Sequence, residues 1–555
     1  MSSSKSKAYL KKLVGISIAS ILSIWAVMSA TKENANFFKL VPPIVVIMLA
    51  FSLEEALFSI TLGSILGLVL INLKSGASFW TSLSNSLMDF PAKVIIKVLS
   101  DADHVKIVVF SLMLGGVVGI ISKSGSVMNL VNKLATRIKS PRAVQLFSFL
   151  LGVGIFFDDY ANTLIVGNTS RPLTDKFKIS REKLAYIVDS TSAPVVGMAI
   201  ISTWIGYELS VVGTSFQVAG WGENPYIAFL KSIPYRFYTI VALFTVLATI
   251  LLQREVSPMY EAEITAREGK KTKGWVEVGG ETKLEGKSLK GAAWISVIVI
   301  AFLISSIIFF LVKTGADNTK RSIFEAIRSI SNLKDTISNA DSFSALLWGS
   351  FLSAVLAFTL VVLTGALSVK EAMEGFAGGI QAMVTPILIM TLAWSLGKVT
   401  QELGTAKYVV EIVKGKIPPF LFASVVFITS AITSFATGTS WGTMAVILPM
   451  AVPAIIAMDP KFLYPVISAC LAGSVFGDHC SPISDTTIIS AMASGCSLIE
   501  HVKTQLPYAL FAALSAVVLY ILSSVIPVVL LIPVAIAIPF IFIRAVGKVV
   551  DNDTI

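Results

Sequence analysis

The sequence predicts an all-α polytopic membrane protein with about 11–13 transmembrane helices, each needing roughly 20 apolar residues to cross a bilayer. Of the 555 residues, 55% are hydrophobic and only 14% are charged, and the mean hydropathy is +0.80. Soluble globular proteins carry about 25% charged residues, so no soluble class fits this composition. The apolar residues also form long runs, which places most of the chain in the lipid bilayer.

Charge and cysteine content exclude several other classes of protein. The net charge of +10 is typical of basic cytoplasmic loops in a membrane protein and does not indicate a nucleic-acid partner. The three cysteines, Cys470, Cys480 and Cys496, are an odd set in apolar sequence, so they do not suggest a disulfide framework. His479 and Cys480 are adjacent without a second His/Cys pair at metal spacing, which argues against a transition-metal site. We predict no cofactor.

Twelve apolar segments are candidate spans, and the first is expected to be a retained signal anchor. They lie near residues 13–30, 39–53, 56–73, 105–122, 182–211, 235–252, 292–312, 343–364, 375–396, 464–494, 507–526 and 528–543. Two further apolar stretches, 143–170 and 417–456, do not have the form of ordinary spans. The polar segment 253–290 mixes Glu, Lys and Gly and is expected to be a flexible loop between the halves.

The stretch 143–170 lies between two basic clusters, within 133–142 and 171–183. A single crossing would put one cluster outside the cell, against the positive-inside rule. A re-entrant hairpin with its tip near 156–160 would keep both clusters in the cytoplasm. We therefore favour the hairpin, and a full crossing remains the alternative.

The stretch 417–456 is long enough for two helices joined by a turn at 434–440, which is rich in Gly, Ser and Thr. As a hairpin entered from outside, it gives a topology in which both termini and 253–290 are cytoplasmic. One loop disagrees with this topology, because 397–416 carries four lysines and would lie outside.

The two halves of the chain resemble each other weakly. The motif Asp189-Ser-Thr-Ser-Ala-Pro194 is similar to Asp478-His-Cys-Ser-Pro482, about 289 positions later, and each follows an apolar stretch interrupted by small polar residues. The two stretches differ in their basic flanks, which suggests opposite orientation in the membrane. We therefore expect two inverted repeats, each with a re-entrant hairpin and a broken helix, and a site at the midplane between them.

Carboxylates inside apolar runs mark the candidate site, because each costs at least ~2.5–3.5 kcal/mol at membrane depth and usually faces a partner, a cavity or a path. The candidate binding residues are Asp158, Asp159, Asn162, Asp189 and Ser192 in the first half, and Thr439, Asp478, Ser481 and Asp485 in the second. Their carboxylate, amide and hydroxyl oxygens suit a weakly held hard cation such as sodium. Asp158 and Asp159 would point about 100° apart on a helix, so one could bind an ion while the other caps the helix or pairs with a basic residue. The alternative for Asp189 is that it caps a helix and binds no ion.

The predicted domains follow these features. They are the N-terminal scaffold helices (1–122), the first repeat core (123–252), the cytoplasmic polar loop (253–290), further scaffold helices (291–416), the second repeat core (417–506) and the C-terminal helices (507–555).

Several motifs are long enough to be specific: FFDDYANTLIVGNTSRPLTDKFKISREKLAYIVDSTSAP (156–194), ISTWIGYE (201–208), FATGTSWGTM (435–444), GDHCSPISDTT (477–487) and HVKTQLPY (501–508). Through them the chain resembles the NhaC family of sodium/proton antiporters over most of 140–510. Residues 1–100 and the tail after 510 carry little of this resemblance. The resemblance implies a multi-pass exchanger of the bacterial plasma membrane, an elevator-like movement and a homodimer.

The resemblance also implies a function. We expect a sodium/proton antiporter and not an enzyme, in which sodium is a transported ion held by Asp159, Asp189 and Asp478. A buried aspartate would alternate between holding a proton and holding sodium. The alternative within the same family is a sodium- or proton-coupled carrier of a small organic anion or amino acid. In that carrier, half-helix amino termini near Ser192 and Ser481 would hold the substrate carboxylate.

Overall fold

A computed structural model describes residues 16–29, 36–53, 55–135, 138–276, 291–413 and 415–550. These residues are almost entirely helical, which confirms the predicted all-α class. Up to residue 252 the α-helices are α1 Ile16–Ser29, α2 Val41–Leu53, α3 Ala56–Lys74, α4 Phe79–Asp89, α5 Ile96–Leu99, α6 Ala102–Ser124, α7 Ser126–Ala135, α8 Pro141–Gly154, α9 Asp159–Lys176, α10 Arg181–Ser190, α11 Ala193–Val196, α12 Ile205–Ala219, α13 Pro225–Ser232 and α14 Phe237–Leu252.

The later α-helices are α15 Met259–Arg267, α16 Ala293–Asn318, α17 Ile323–Ile327, α18 Ile330–Ser338, α19 Ser342–Leu363, α20 Val369–Ala382, α21 Val384–Leu403, α22 Thr405–Val413, α23 Pro419–Thr437, α24 Ser440–Met458, α25 Leu463–Cys480, α26 Asp485–Ser494, α27 Leu498–Leu522 and α28 Val528–Val546. Short 3-10 turns occupy Phe37–Leu40, Ile233–Tyr235 and Pro460–Phe462, and a π-helix occupies Phe90–Ile95. Two short strands, β1 Arg254–Glu255 and β2 Lys548–Val549, pair antiparallel.

Nine helices in the described ranges are long and apolar enough to cross a membrane, with α20 and α21 taken together as one of them. The pair Pro225–Tyr235 and Phe237–Leu252, bent by 47°, makes ten if it is one span. A helix needs roughly 20 residues to cross a membrane, and α6, α16 and α19 are examples that have this length. The chain is therefore a multi-pass membrane protein.

Both predicted hairpins have the expected helical form. Helices α8 and α9 pack against each other and are joined by residues 155–158, while α23 and α24 pack together across Gly438 and Thr439. Gly438 has φ of +68°, a conformation that a β-carbon disfavours, which explains the glycine at this turn. The membrane side from which each hairpin enters stays a prediction, as do the domain boundaries.

The predicted spans 182–211 and 464–494 are not continuous helices. In the first, α10 ends at Ser190 and α12 begins at Ile205, with only the four-residue α11 between them. In the second, α25 ends at Cys480 and α26 begins at Asp485. A proline lies in or beside each gap, and proline cannot donate the backbone hydrogen bond that continues a helix. These two segments are therefore the two broken helices that we predicted from the internal repeat.

Part of the predicted flexible loop at 253–290 is instead ordered structure. Residues 253–276 contain β1 and α15, and they contact the start of α10. The Ser180 amide donates to Glu263 at 2.7 Å, and the Gly274 amide donates to Glu182 at 2.9 Å. Pairing between β1 and β2 ties the same segment to the end of the chain. Residues 277–290 lie outside the described residues.

Helices α4 and α5, within Phe79–Leu99, were not predicted because polar residues interrupt the apolar pattern there.

Close packing of small residues fixes the position of the hairpin in the second repeat. A β-carbon at Gly477 of α25 would lie 2.2 Å from the Phe435 amide nitrogen of α23. The second hairpin therefore lies directly against the helix that breaks at Cys480.

Candidate cation site between the two repeats

Both hairpin tips and both helix breaks meet at one pocket, with a cavity volume of about 80 Å³. The lining residues are Asp159, Tyr160, Thr203, Trp204, Met383, Thr385, Pro386, Ile389, Gly438, Thr439, Trp441, Asp478 and Asp485. Four predicted site residues, Asp159, Thr439, Asp478 and Asp485, therefore face the same space, although they come from different halves of the chain.

Asp478 connects the second hairpin to the second helix break. Its side chain is only 3% exposed. The Ser440 hydroxyl donates to one carboxylate oxygen at 2.7 Å, and the Ser484 hydroxyl donates to the other. Because Ser440 begins α24 and Ser484 precedes α26, this carboxylate fixes the two elements relative to each other.

Asp159 has a different environment, although it is equally buried at 3% exposure. Within the described part of the chain, no other side chain donates a hydrogen bond to its carboxylate, which lines the pocket. A buried charge without a partner is strongly unfavourable. This carboxylate therefore requires a proton or a bound cation.

Asp485 is the third pocket carboxylate and is exposed. The Tyr160 hydroxyl donates to it, so the tip of the first hairpin reaches the break of the second repeat. Helices α9, α24 and α26 all begin at this pocket, and the positive ends of their dipoles favour negative charge there. No Lys, Arg or His is among the described lining residues. The fixed charge of the pocket is therefore negative.

The remaining predicted residues of the first hairpin hold it in shape. Asp158 is the N-cap of α9 and accepts from the Ala161 amide at 2.7 Å, so of the two adjacent aspartates it is Asp158 that caps the helix. The Asn162 amide nitrogen donates to the carbonyls of Gly152, Ile155 and Thr191, at 2.6, 3.0 and 2.9 Å. Asn162 thus ties the first hairpin to the first helix break, and its buried Oδ1 atom has no hydrogen-bond partner among the residues that the structure describes.

Ser192 and Ser481 are buried but do not line the pocket. The Ser192 hydroxyl donates to the Asp189 carbonyl at 3.2 Å, and the Ser481 hydroxyl donates to the Phe435 carbonyl at 2.8 Å. Both hydroxyls therefore satisfy local backbone groups next to the helix breaks.

Asp189 is fully buried and also lies outside the pocket lining. Ser490 Oγ is 3.2 Å from Oδ1, while Thr487 Oγ1, His501 Nε2 and Gln505 Nε2 are 3.2, 3.2 and 2.8 Å from Oδ2. These partners come from α26 and α27 and surround the carboxylate. The sequence analysis did not select His501 or Gln505, although their spacing of four positions places both on one helix face.

A second contact joins the two broken helices directly. Ser190 Oγ lies 2.9 Å from His479 Nε2, and the two residues are 289 positions apart, the same offset as the repeated motif. Two residues at equivalent positions of the two repeats can contact each other only near the axis that relates the repeats. His479 Nδ1 also lies 2.7 Å from the Tyr238 hydroxyl, which fixes the ring from its other side.

The buried network and the pocket share one side chain. Thr487 Oγ1 lies 3.2 Å from Asp189 Oδ2 and 3.0 Å from the Asp478 carbonyl oxygen. Among the described residues, no group of three or more His, Cys, Asp or Glu side chains could hold a metal ion. The pocket carboxylates therefore line an open space and do not form a closed coordination shell.

Similarity to known proteins agrees with this architecture. A protein of Haemophilus influenzae is 32% identical over 511 residues, which is 91% of this chain and 94% of that protein. A shorter match, 33% identical over 138 residues, is to the malate-2H⁺/Na⁺-lactate antiporter of Bacillus subtilis, covering 24% of this chain and 27% of that protein. The YdaH transporter of Alcanivorax borkumensis shares the fold, with a TM-score of 0.50, 12% identity and coverage of 78% of this chain and 88% of that chain.

A second protein of Haemophilus influenzae, described as an uncharacterized Na⁺/H⁺ antiporter, is 40% identical over 85 residues, covering 15% of this chain and 18% of that protein. The model of the Na⁺/H⁺ antiporter family matches residues 195–525, more than half of the chain. This match includes the second hairpin, the second helix break and the part of the first helix break from residue 195 onward. The chain therefore belongs to the Na⁺/H⁺ antiporter family and is a secondary transporter.

Proposed function

We propose that this transporter exchanges sodium ions for protons across the bacterial plasma membrane, at the pocket lined by Asp159, Asp478 and Asp485. The observation that carries the proposal is the carboxylate of Asp159. It is buried, it faces the pocket, and no side chain in the described ranges donates a hydrogen bond to it. Such a group holds either a proton or a cation, and this choice is the basis of exchange.

Competition for these carboxylates couples the two ions. Asp159 and Asp478 line one pocket, so their negative charges repel each other when neither is neutralised. Sodium entering the pocket displaces a proton, and a proton arriving from the other side of the membrane displaces sodium. Thr439 lies at the hairpin tip and supplies a neutral oxygen beside the carboxylates. The two hairpin tips and two helix breaks form the walls that must move to alternate access.

Asp189 has a different role in this proposal from the one that the sequence suggested. A sodium ligand needs accessible lone pairs, and four side chains already contact the Asp189 carboxylate. We assign Asp189 as a positioning residue that holds α10 against α26 and α27. Sodium would then bind in the pocket and not at Asp189.

The carrier of a small organic anion is the second candidate. The Bacillus subtilis relative is a malate-2H⁺/Na⁺-lactate antiporter, which favours this candidate. The described pocket lining, however, has three carboxylates and no cationic side chain to pair with an anion. The helix amino termini at the pocket are next to the chain's own aspartates. Charge therefore favours a cation as the bound species.

Purified protein in liposomes with a preset pH gradient tests the proposal. A sodium pulse should dissipate the gradient, while malate or lactate without sodium should leave it unchanged. An anion-dependent pH change would support the second candidate instead. Sodium flux without proton movement would indicate a passive channel and would contradict exchange. The homodimer implied by the family resemblance also stays a proposal, and cross-linking in the membrane tests it.

A further inference from the structure

Much of the pocket wall consists of apolar and aromatic side chains. Trp204 comes from the first helix break and Trp441 from the second hairpin. Met383, Pro386 and Ile389 also line the pocket; Met383 precedes α21, and the other two lie in its first two turns. Hard cations bind oxygen ligands, and none of these side chains supplies an oxygen. This part of the wall therefore has no role in holding a bare sodium ion.

The tryptophan of the second hairpin is held firmly in place. The Trp441 ring lies 4.2 Å from the Tyr207 ring and 5.6 Å from the Trp204 ring, measured between centroids. The Tyr207 hydroxyl also donates to the Trp441 carbonyl. Because its neighbours fix it, Trp441 is a preformed aromatic part of the pocket lining. Aromatic faces attract cations through their quadrupole, and tryptophan does so most strongly.

The size of the pocket also exceeds the needs of sodium. Its cavity volume of about 80 Å³ has room for roughly five to eight water-sized groups, since each needs roughly 10–15 Å³. Its lining combines negative charge on one part with an apolar surface on another. The matching ligand carries positive charge at one end and apolar groups at the other.

We propose that the pocket also binds and transports a small organic ammonium ion. The cationic head would lie between the carboxylates of Asp159 and Asp478 and the ring of Trp441. The apolar substituents would contact Met383 and Ile389. This inference rests on the cation site of the proposed function and adds a second class of cargo to it. The organic cation and sodium compete, because they use the same carboxylates.

Choline and its neutral isostere 3,3-dimethylbutan-1-ol provide a matched pair of probes. They have nearly the same shape, but only choline is charged. Choline keeps its charge at every pH, so it cannot collapse a pH gradient by crossing the bilayer as a neutral base. Choline should bind the purified full-length protein in micelles, sodium should compete with it, and a choline pulse should dissipate the pH gradient of proteoliposomes. The neutral alcohol should do none of these.

A variant series tests the contribution of the aromatic ring. Trp441→Leu should weaken choline binding about five- to thirtyfold, and Trp441→Phe should weaken it less, because phenylalanine keeps an aromatic face. The control is Trp348→Leu on α19, where Trp348 is 49% exposed and outside the pocket. This variant should bind choline like the unmutated protein.

Two results would overturn the inference. One is equal binding of choline and the neutral alcohol, which would make the pocket merely apolar. The other is absence of choline binding in protein that exchanges sodium for protons. Choline binding in protein that shows no sodium/proton exchange would support the inference and contradict the proposed function. The two proposals can therefore fail separately.

Discussion

The Nε2 atom of His501 lies 3.2 Å from Oδ2 of Asp189, and neither side chain is exposed. This pair connects α10 to α27. Gln505 contacts the same carboxylate and also donates to the His479 carbonyl. The pair therefore lies at the centre of the network that holds the two broken helices together.

Replacement of His501 by alanine should lower the maximal rate of exchange roughly ten- to a hundredfold, because loss of a hydrogen bond to a buried charged group costs about 1.5–3 kcal/mol. The sodium concentration that gives the half-maximal rate should change by no more than about twofold, because His501 does not line the pocket. This limit corresponds to a loss of about 0.4 kcal/mol or less of sodium-binding free energy. His501→Asn, which keeps a donor, should recover part of the rate. Sodium-driven proton flux in proteoliposomes measures both quantities.

His104→Asn is the control for His501, because the His104 ring stacks on Trp394 at 3.8 Å and lies outside the pocket. It should retain the rate of the unmutated protein. A large rise in half-maximal sodium concentration for His501→Ala would instead make the Asp189 pair part of the sodium site.

Asp478→Asn should abolish exchange and leave expression and folding near normal. The amide keeps the shape of the carboxylate, and the Ser440 and Ser484 hydroxyls can still hydrogen-bond to it. The charge that binds sodium or a proton is removed. Exchange assays together with the yield and elution profile of the purified protein check both parts.

Asp317→Asn is the matched control for Asp478, since Asp317 is exposed on α16 and paired with Lys313. This variant should exchange normally. Normal exchange by Asp478→Asn would assign Asp478 to a structural role and place the ion site elsewhere.

The sequence was sufficient to locate the hairpins and helix breaks, because polar, Gly and Pro residues are unmistakable inside apolar runs. It also predicted different roles for Asp158 and Asp159, since adjacent helical residues point about 100° apart. It did not show which of the two aspartates is the helix cap. That depends on the residue at which α9 begins, which the sequence did not define. His501 and Gln505 were missed because their partner, Asp189, is more than 300 positions away, and no local pattern records such a contact.

Gly438→Ala should impair exchange, because this glycine is at the tip of the second hairpin. A β-carbon there would lie 2.8 Å from Ile483, in the second helix break, and φ is +68°. Gly404→Ala is the control, since Gly404 has φ of +75° and no atom of the described residues lies within 4 Å of the added carbon. Both variants should be destabilised by roughly 1–2 kcal/mol, because alanine is unfavourable in this left-handed backbone conformation. Only Gly438→Ala should also lose exchange activity, which the proteoliposome assay detects.

Equal exchange by the two glycine variants would contradict the importance of this contact. It would mean that the hairpin tip and the helix break need not be in close contact for transport.

Cysteine labelling tests the predicted topology of the first hairpin. Single cysteines at positions 139 and 176, Lys139→Cys and Lys176→Cys, should both react with a membrane-impermeant reagent from the cytoplasmic side. Both lysines are exposed, and the native cysteines Cys470, Cys480 and Cys496 are buried, so background labelling should be low. Labelling from opposite sides of the membrane would make 143–170 a full crossing.

Sodium binding as a function of pH tests the central claim most directly, because the claim is that sodium and protons compete for the pocket carboxylates. Binding to purified protein should be measured from about pH 5.5 to 9, a range that spans where buried carboxylates can titrate. Apparent sodium affinity should fall about tenfold per pH unit below the pKa of the binding carboxylate and level off above it. Asp159→Asn should remove this dependence. A sodium affinity that stays constant across the whole range in the unmutated protein would contradict the shared site.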